Sequence, residues 1–200
     1  MSELTEALER IRLWQQLHHP DLAAALQPGL SDAEIEDYLK DFPFQLPQEF
    51  YELYNWRNGC AGEWQEFFPW YVFLPLERAS EEYKMIREAA AEVAADLNDD
   101  PSKIWHPSWF PVFRFVCVCD YYVIKGQLKA EPASPVLFIF NDDREPDAQY
   151  ASLTYMMRAV AECYEARAYF VEEKTAPDGS TYLSLAEDED KEFEIHEQYK

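Results

Sequence analysis

The chain has 200 residues, of which 39 are Asp or Glu and 17 Lys or Arg, giving a formal net charge of −22. So strong a negative field opposes holding nucleic acid by its phosphates or docking on anionic lipid, and favours a basic protein partner through steering and complementarity. A hydrophobic fraction of 48%, with 6 Trp, 13 Tyr and 13 Phe, supports a substantial core and leaves aromatics over as rigid anchors at an interface.

The opening stretch, MSELTEALERIRLWQQL, is charged and lacks the pattern of a secretory signal. No apolar run approaches the ~18 residues of a membrane helix. Cys60, Cys117, Cys119 and Cys163 form no disulfide-scaffold or zinc spacing, so buried free thiols are expected. These features together predict a cytoplasmic protein.

Residues 4–27 carry a helical pattern through Leu4, Leu8 and Ile11, with Trp14 near the stripe and a break at Pro20. Ser31-Asp32-Ala33-Glu34 is a capping box ahead of Ile35, Tyr38 and Leu39. The stretch at 45–59, QLPQEFYELYNWRNG, is the one around which the rest of the chain is organised. Leu46 should be extended because it precedes a proline, and Pro47 suits a first helical turn. Phe50, Leu53, Tyr54 and Arg57 come next at helical spacing. Asn58-Gly59 would then close the helix in the left-handed conformation. The helix is structural, with Tyr51, Trp56 and Arg57 available to look outward as part of a binding surface.

A short strand is expected at 70–74 and a helix at 78–97, with Met85, Ala89, Val93 and Leu97 on a four-residue stagger. Residues 110–118, 121–124 and 136–140 read as strands. Cys117 and Cys119, two apart, would share one face. Residues 152–169 form a helical pattern through Leu153, Met156, Met157, Val160, Ala161 and Tyr164, with Ser152 as its N-cap. Asp178-Gly179 marks a turn, 181–185 a last short strand, and 187–199 a peripheral acidic helix or partly ordered tail. With no regular βαβ alternation, the fold class is α+β, a central mixed, mostly antiparallel sheet flanked by helices.

The segment LPQEFYELYNWRNG resembles the LP…Y…L…NG signature of the SMI1/KNR4 family, in the SUKH superfamily. IWHPSWFPVF, YYVIKG and VLFIFNDD come after it in that family's order, and a closing helix begins near SLTYMM, with Ser152 matching the family's serine. Asp120 is kept without a neighbouring glycine, and Cys60 and Ala61 replace a further glycine. The resemblance covers residues 31–170, which sets off 1–30 as an N-terminal helical extension and 171–200 as an acidic C-terminal one. It implies an α+β domain. Many bacterial members resemble immunity proteins that neutralise toxins, often nucleases, and fungal members are regulatory scaffolds. It brings no catalytic residues with it.

The histidines, His18, His19, His106 and His196, fall in no HExxH or Cys/His cluster, and GxSxG, P-loop and dinucleotide motifs are missing. No enzyme activity, metal or cofactor is therefore expected. Asn141-Asp142-Asp143, with Glu145 and Asp147 nearby, reads as a solvated acidic turn. It leaves open divalent-cation binding, or a metal-dependent hydrolase using residues 141–147. The leading expectation is a non-enzymatic protein-binding module, an immunity protein covering a basic toxin or nuclease; a regulatory scaffold is the alternative. The expected face combines Glu63, Glu66, Asp142 and Asp143 with the anchors Trp56 and Trp64.

Overall fold

Capping side chains set the helix starts in this computed structural model, which describes residues 1–117, 120–140 and 146–200. The Thr5 N–H donates to Ser2 Oγ at 3.1 Å ahead of α1 (Glu3–His18), and Pro20 opens α2 (Pro20–Ala25). The capping box closes at α3 (Asp32–Leu39), with the Ser31 N–H on Glu34 Oε2 at 2.8 Å and the Glu34 N–H on Ser31 Oγ at 3.4 Å. Pro47 is extended and precedes α4 (Gln48–Trp56), one residue outside the first-turn position expected for it. The helical spacing places Phe50, Leu53 and Tyr54 in the core.

Asn58-Gly59 does not end the helix. Arg57 is already extended, at φ −152° and ψ 142°, and Arg57–Cys60 is a strand, β2. It pairs antiparallel with β1 (Leu26–Pro28), a strand hidden inside the helical pattern of residues 4–27. The two residues serve the next helix instead. Asn58 Oδ1 accepts the Leu76 N–H at 2.8 Å, capping α5 (Leu76–Leu97) from a distant strand. Gly59 sits at φ +69°, and a Cβ there would lie 2.3 Å from the Pro75 nitrogen. Glycine thus lets β2 cross the Leu74–Pro75 backbone at close quarters.

The main sheet contains β3 (Tyr71–Phe73), β4 (Trp109–Phe115), β5 (Tyr121–Lys125), β6 (Val136–Ile139) and β7 (Ala148–Tyr150). They lie in the order β3-β4-β5-β6-β7, each pair antiparallel. β4 is shorter than expected, ending at Phe115. Side chains alternate between faces. Tyr122 turns to the aromatic core, near Phe68, Tyr71 and Phe138. That core meets α4 through Phe50 and Phe110, perpendicular at 5.4 Å. It is closed by α1 and α6 (Leu153–Glu165), where Trp14 meets Tyr164 at 4.5 Å. The neighbouring residues Tyr121 and Ile139 turn to the other face, where α5 lies. There Glu82 Oε1 accepts from Arg78 Nε and from Arg114 Nη1 of β4, each at 2.9 Å.

Ser152 caps α6 as expected, accepting the Tyr155 N–H at 3.4 Å. The helix stops at Glu165, short of residue 169, because Arg167 takes φ +61° and Tyr169 enters β8 (Tyr169–Thr175). β8 forms a hairpin with β9 (Thr181–Glu187) across Asp178-Gly179, with Gly179 at φ +84°. α7 (Glu189–His196) then folds back and buries Ile195. Cys60 and Cys163 are buried free thiols; Cys117 is exposed, because it lies just past the end of β4, and Cys119 lies outside the described residues. No helix among the described residues is long and apolar enough to cross a membrane.

Candidate protein-binding surface

An open groove of about 680 Å³ runs between α3, the start of α4 and the 130–132 loop. Asp32, Glu36, Lys40, Tyr51 and Glu131 supply its polar lining. The capping box fixes this arrangement, because it starts α3 at Asp32 and so puts Glu36, four residues on, along the same side. Tyr51 OH donates to Glu36 Oε1 at 3.4 Å, and both burial and that carboxylate push its phenol above the ordinary range. Asn55 Nδ2 donates to Asp32 Oδ1 at 3.0 Å and to the Leu30 carbonyl at 2.8 Å. The loop is pinned to α4 by the Gln48 N–H on the Glu131 carbonyl, 2.9 Å, and the Glu49 N–H on the Pro132 carbonyl, 3.2 Å. Lys40, which also lines the groove, is paired with Asp37 at 3.3 Å. Beyond Tyr51 the groove continues into a second depression reaching Glu52, Asn55 and Trp56.

Such a surface suits Lys or Arg side chains. It offers carboxylates and a phenol on a bed tied by backbone hydrogen bonds, without a paired nucleophile and base. Among the described residues no group of His, Cys, Asp and Glu could hold a metal ion.

Residues 29–159 match the model of the SMI1 / KNR4 family (SUKH-1). The chain belongs to the SMI1/KNR4 family. No curated protein matches it. Both the signature helix α4 and the acidic groove fall inside the matched SMI1/KNR4 residues, while the β8–β9 hairpin and α7 lie beyond them.

Among the described residues, the side chains expected to form the binding face turn to different neighbours in this SMI1/KNR4 chain. Trp56 is half-buried, its indole N–H donating to Glu9 Oε1 at 2.6 Å and its ring 6.1 Å from that of Phe67. It is a strut between α1 and α4 whose edge reaches the second depression. Trp64 is 65% exposed. Arg114 holds its turn, with its guanidinium carbon 5.8 Å from the Trp64 ring and Nη2 on the Glu63 carbonyl at 2.8 Å. Glu66 is half-buried and accepts the Trp70 N–H at 3.1 Å; burial raises its carboxyl. Asp142 and Asp143 lie outside the described residues, as does most of the acidic turn. Asp32, Glu36 and Glu131 were not singled out from the sequence. The capping box offered a signal for Asp32 alone, because it starts α3 there; Glu131 comes from a loop about a hundred residues away.

A second polar cluster ties α7 to the sheet. Tyr169 OH donates to Glu192 Oε1 at 2.5 Å and lies 3.1 Å from His196 Nε2, while Tyr150 OH meets His196 Nδ1. Trp70 Nε1 donates to Glu187 Oε1 at 3.0 Å. Burial, and then the charge of Glu192, push Glu187 up to about 7; burial holds His196 down to about 4. The partners of these groups lie within the protein, so the cluster reads as a fastening.

Proposed function

We propose that this SMI1/KNR4 protein is a non-enzymatic binding module that captures a basic protein, of the immunity type, and silences a toxin or nuclease by covering its active face. The observation that carries the proposal is the acidic groove on the family's signature helix in a chain of net charge −22. Carboxylates there would steer and orient the partner, and exposed Trp64 beside Glu63 would anchor it at the periphery. In this account residues 31–170 are the binding domain, 1–30 and 171–200 brace it, and the site of action is the cytoplasm.

The test is capture from the native cell, with the wild type and with the triple variant Asp32→Lys, Glu36→Lys, Glu131→Lys. The wild type should retain a basic protein and inhibit it, and the variant should retain at least tenfold less. A partner with an acidic docking face, held equally by both, would favour a regulatory scaffold. Turnover in a hydrolase screen with Mg²⁺ or Zn²⁺, falling on Asp142→Asn or Asp143→Asn, would overturn the non-enzymatic account.

A further inference from the structure

Helix α5 turns an apolar row away from its own core. Its buried residues are Leu76, Ala79, Ser80, Glu82, Ala90 and Ala94, and Tyr83 stacks on Phe110 of β4 at 5.8 Å. Met85, Ala89, Val93 and Leu97 recur every fourth residue on another side, with Met85 51% exposed, Val93 46% and Leu97 55%. Met85, Ala89 and Val93 wall a groove of about 350 Å³. Its floor includes Tyr121 and Ile139, which face each other across β5 and β6. Ile104, Trp105 and the 55% exposed Phe140 are also part of the lining.

The layer logic of the fold explains the opening. A sheet face is normally covered by helices lying side by side. Here α5 is fastened over β4 through Glu82 and Arg114, and the groove lies beside it, its floor residues Tyr121 and Ile139 buried and its exposed wall made by Met85, Val93 and Phe140. An apolar groove can take the projecting side chains of a helix, spaced three and four apart.

Charge selects which helix. Glu88, Glu92 and Asp96 are exposed, and each lies three residues past a member of the apolar row, so an acidic line runs alongside it. Among the described residues, three cations near this line have partners of their own. Arg78 pairs with Glu81 and Glu82, Arg87 donates to the Trp105 carbonyl at 2.6 Å, and Lys103 pairs with Asp99 at 2.8 Å. Lys84 offsets the line at its N-terminal end.

We infer that the α5 groove receives one amphipathic helix of a protein partner, its apolar face seated against Met85, Val93 and Phe140 and its flank carrying Lys or Arg toward Glu92 and Asp96. The inference shares with the proposed function the idea of a protein partner. It uses a different surface, so the two can fail separately.

The probe is a labelled 18-residue synthetic amphipathic helix with a leucine face and lysine flanks, titrated by fluorescence anisotropy. A second peptide carries glutamate flanks. The lysine peptide should bind at least tenfold more tightly than the glutamate one. Met85→Glu with Val93→Glu should weaken it at least tenfold, although these changes add negative charge, and circular dichroism should show the fold retained at these exposed positions. Glu92→Gln with Asp96→Asn should weaken it about threefold at low salt. The triple variant at Asp32, Glu36 and Glu131 should bind the peptide as the wild type does, even if it loses the captured basic protein. Failure of the lysine peptide to bind, or binding undiminished in the Met85 and Val93 variant, would overturn the inference. So would a wild-type dimer in light scattering that becomes a monomer in that variant, because a second copy would then fill the groove.

Discussion

Helices α4 and α7 are both short and both rest on aromatic side chains, yet different physics holds them. α4 buries Phe50, Leu53 and Tyr54 against rings of the sheet, and its buried hydroxyl, Tyr54 OH, donates to the Leu74 carbonyl at 3.0 Å. α7 buries Ile195 and is otherwise fastened by Glu192 and His196 to tyrosines of β7 and β8. Apolar contacts do not titrate, whereas carboxyls and imidazoles do. The apolar contacts of α4 should therefore keep their contribution across pH, and the Glu192 and His196 fastening of α7 should not.

The largest expected effect sharpens the α4 side. Leu53 is fully buried, so Leu53→Ala should cost about 2–5 kcal/mol in denaturant unfolding, by nearly the same amount at pH 5 and pH 8. A loss below about 0.5 kcal/mol would show that this helix face carries no core. Next comes Gly59→Ala. The left-handed backbone and the approach to Pro75 should together cost roughly 1–3 kcal/mol, read as a lower thermal midpoint. An unchanged midpoint would mean that β2 does not cross the Pro75 corner as described.

The smallest effect separates the two regions most cleanly. Glu187 is raised from an ordinary 4.5 to about 7, so its contribution to the folded state is whole below 4.5 and is lost as pH rises through about 7. His196 is lowered from 6.5 to about 4, so its contribution is whole above 6.5 and is lost as pH falls through about 4. The two trends oppose each other where they overlap. Glu187→Gln removes one of them. Hydrogen-exchange protection of α7 in that variant should therefore rise relative to wild type as pH goes from 4.5 to 7, while protection of α4 stays level. Parallel profiles for wild type and variant in α7 would remove the distinction between the regions.

The sequence makes visible what local chemistry decides. The capping box at Ser31, the N-cap at Ser152 and the apolar runs of β4, β5 and β6 each carry their own signal within a few residues. Asn58-Gly59 does not, because a left-handed glycine after a helix looks the same whether it ends the helix or crosses another strand. The deciding atoms belong to Leu74, Pro75 and Leu76. β1 is three residues long and exists through its pairing with β2, and β8 was not read as a strand, its first residue Tyr169 having been taken as the end of the preceding helix. The acidic groove draws Asp32 and Glu131 from segments about a hundred residues apart, so net charge announced a binding character without its address. The outward row on α5 was visible as a stagger, but the direction it faces depends on which side the sheet occupies.

In the proposed function, carboxylates of α3 and the 130–132 loop, beside the signature helix, recruit a basic protein. The most direct test is the stopped-flow association rate of the captured partner across a salt series, with wild type and the Asp32→Lys, Glu36→Lys, Glu131→Lys variant. Screening shortens the reach of these charges to about 10 Å at 0.1 M salt and about 3 Å at 1 M. The wild-type rate should therefore fall steeply as salt rises, and the variant should start slower and respond less, with dissociation changed to a smaller degree. An association rate indifferent to both salt and the three substitutions would contradict the claim.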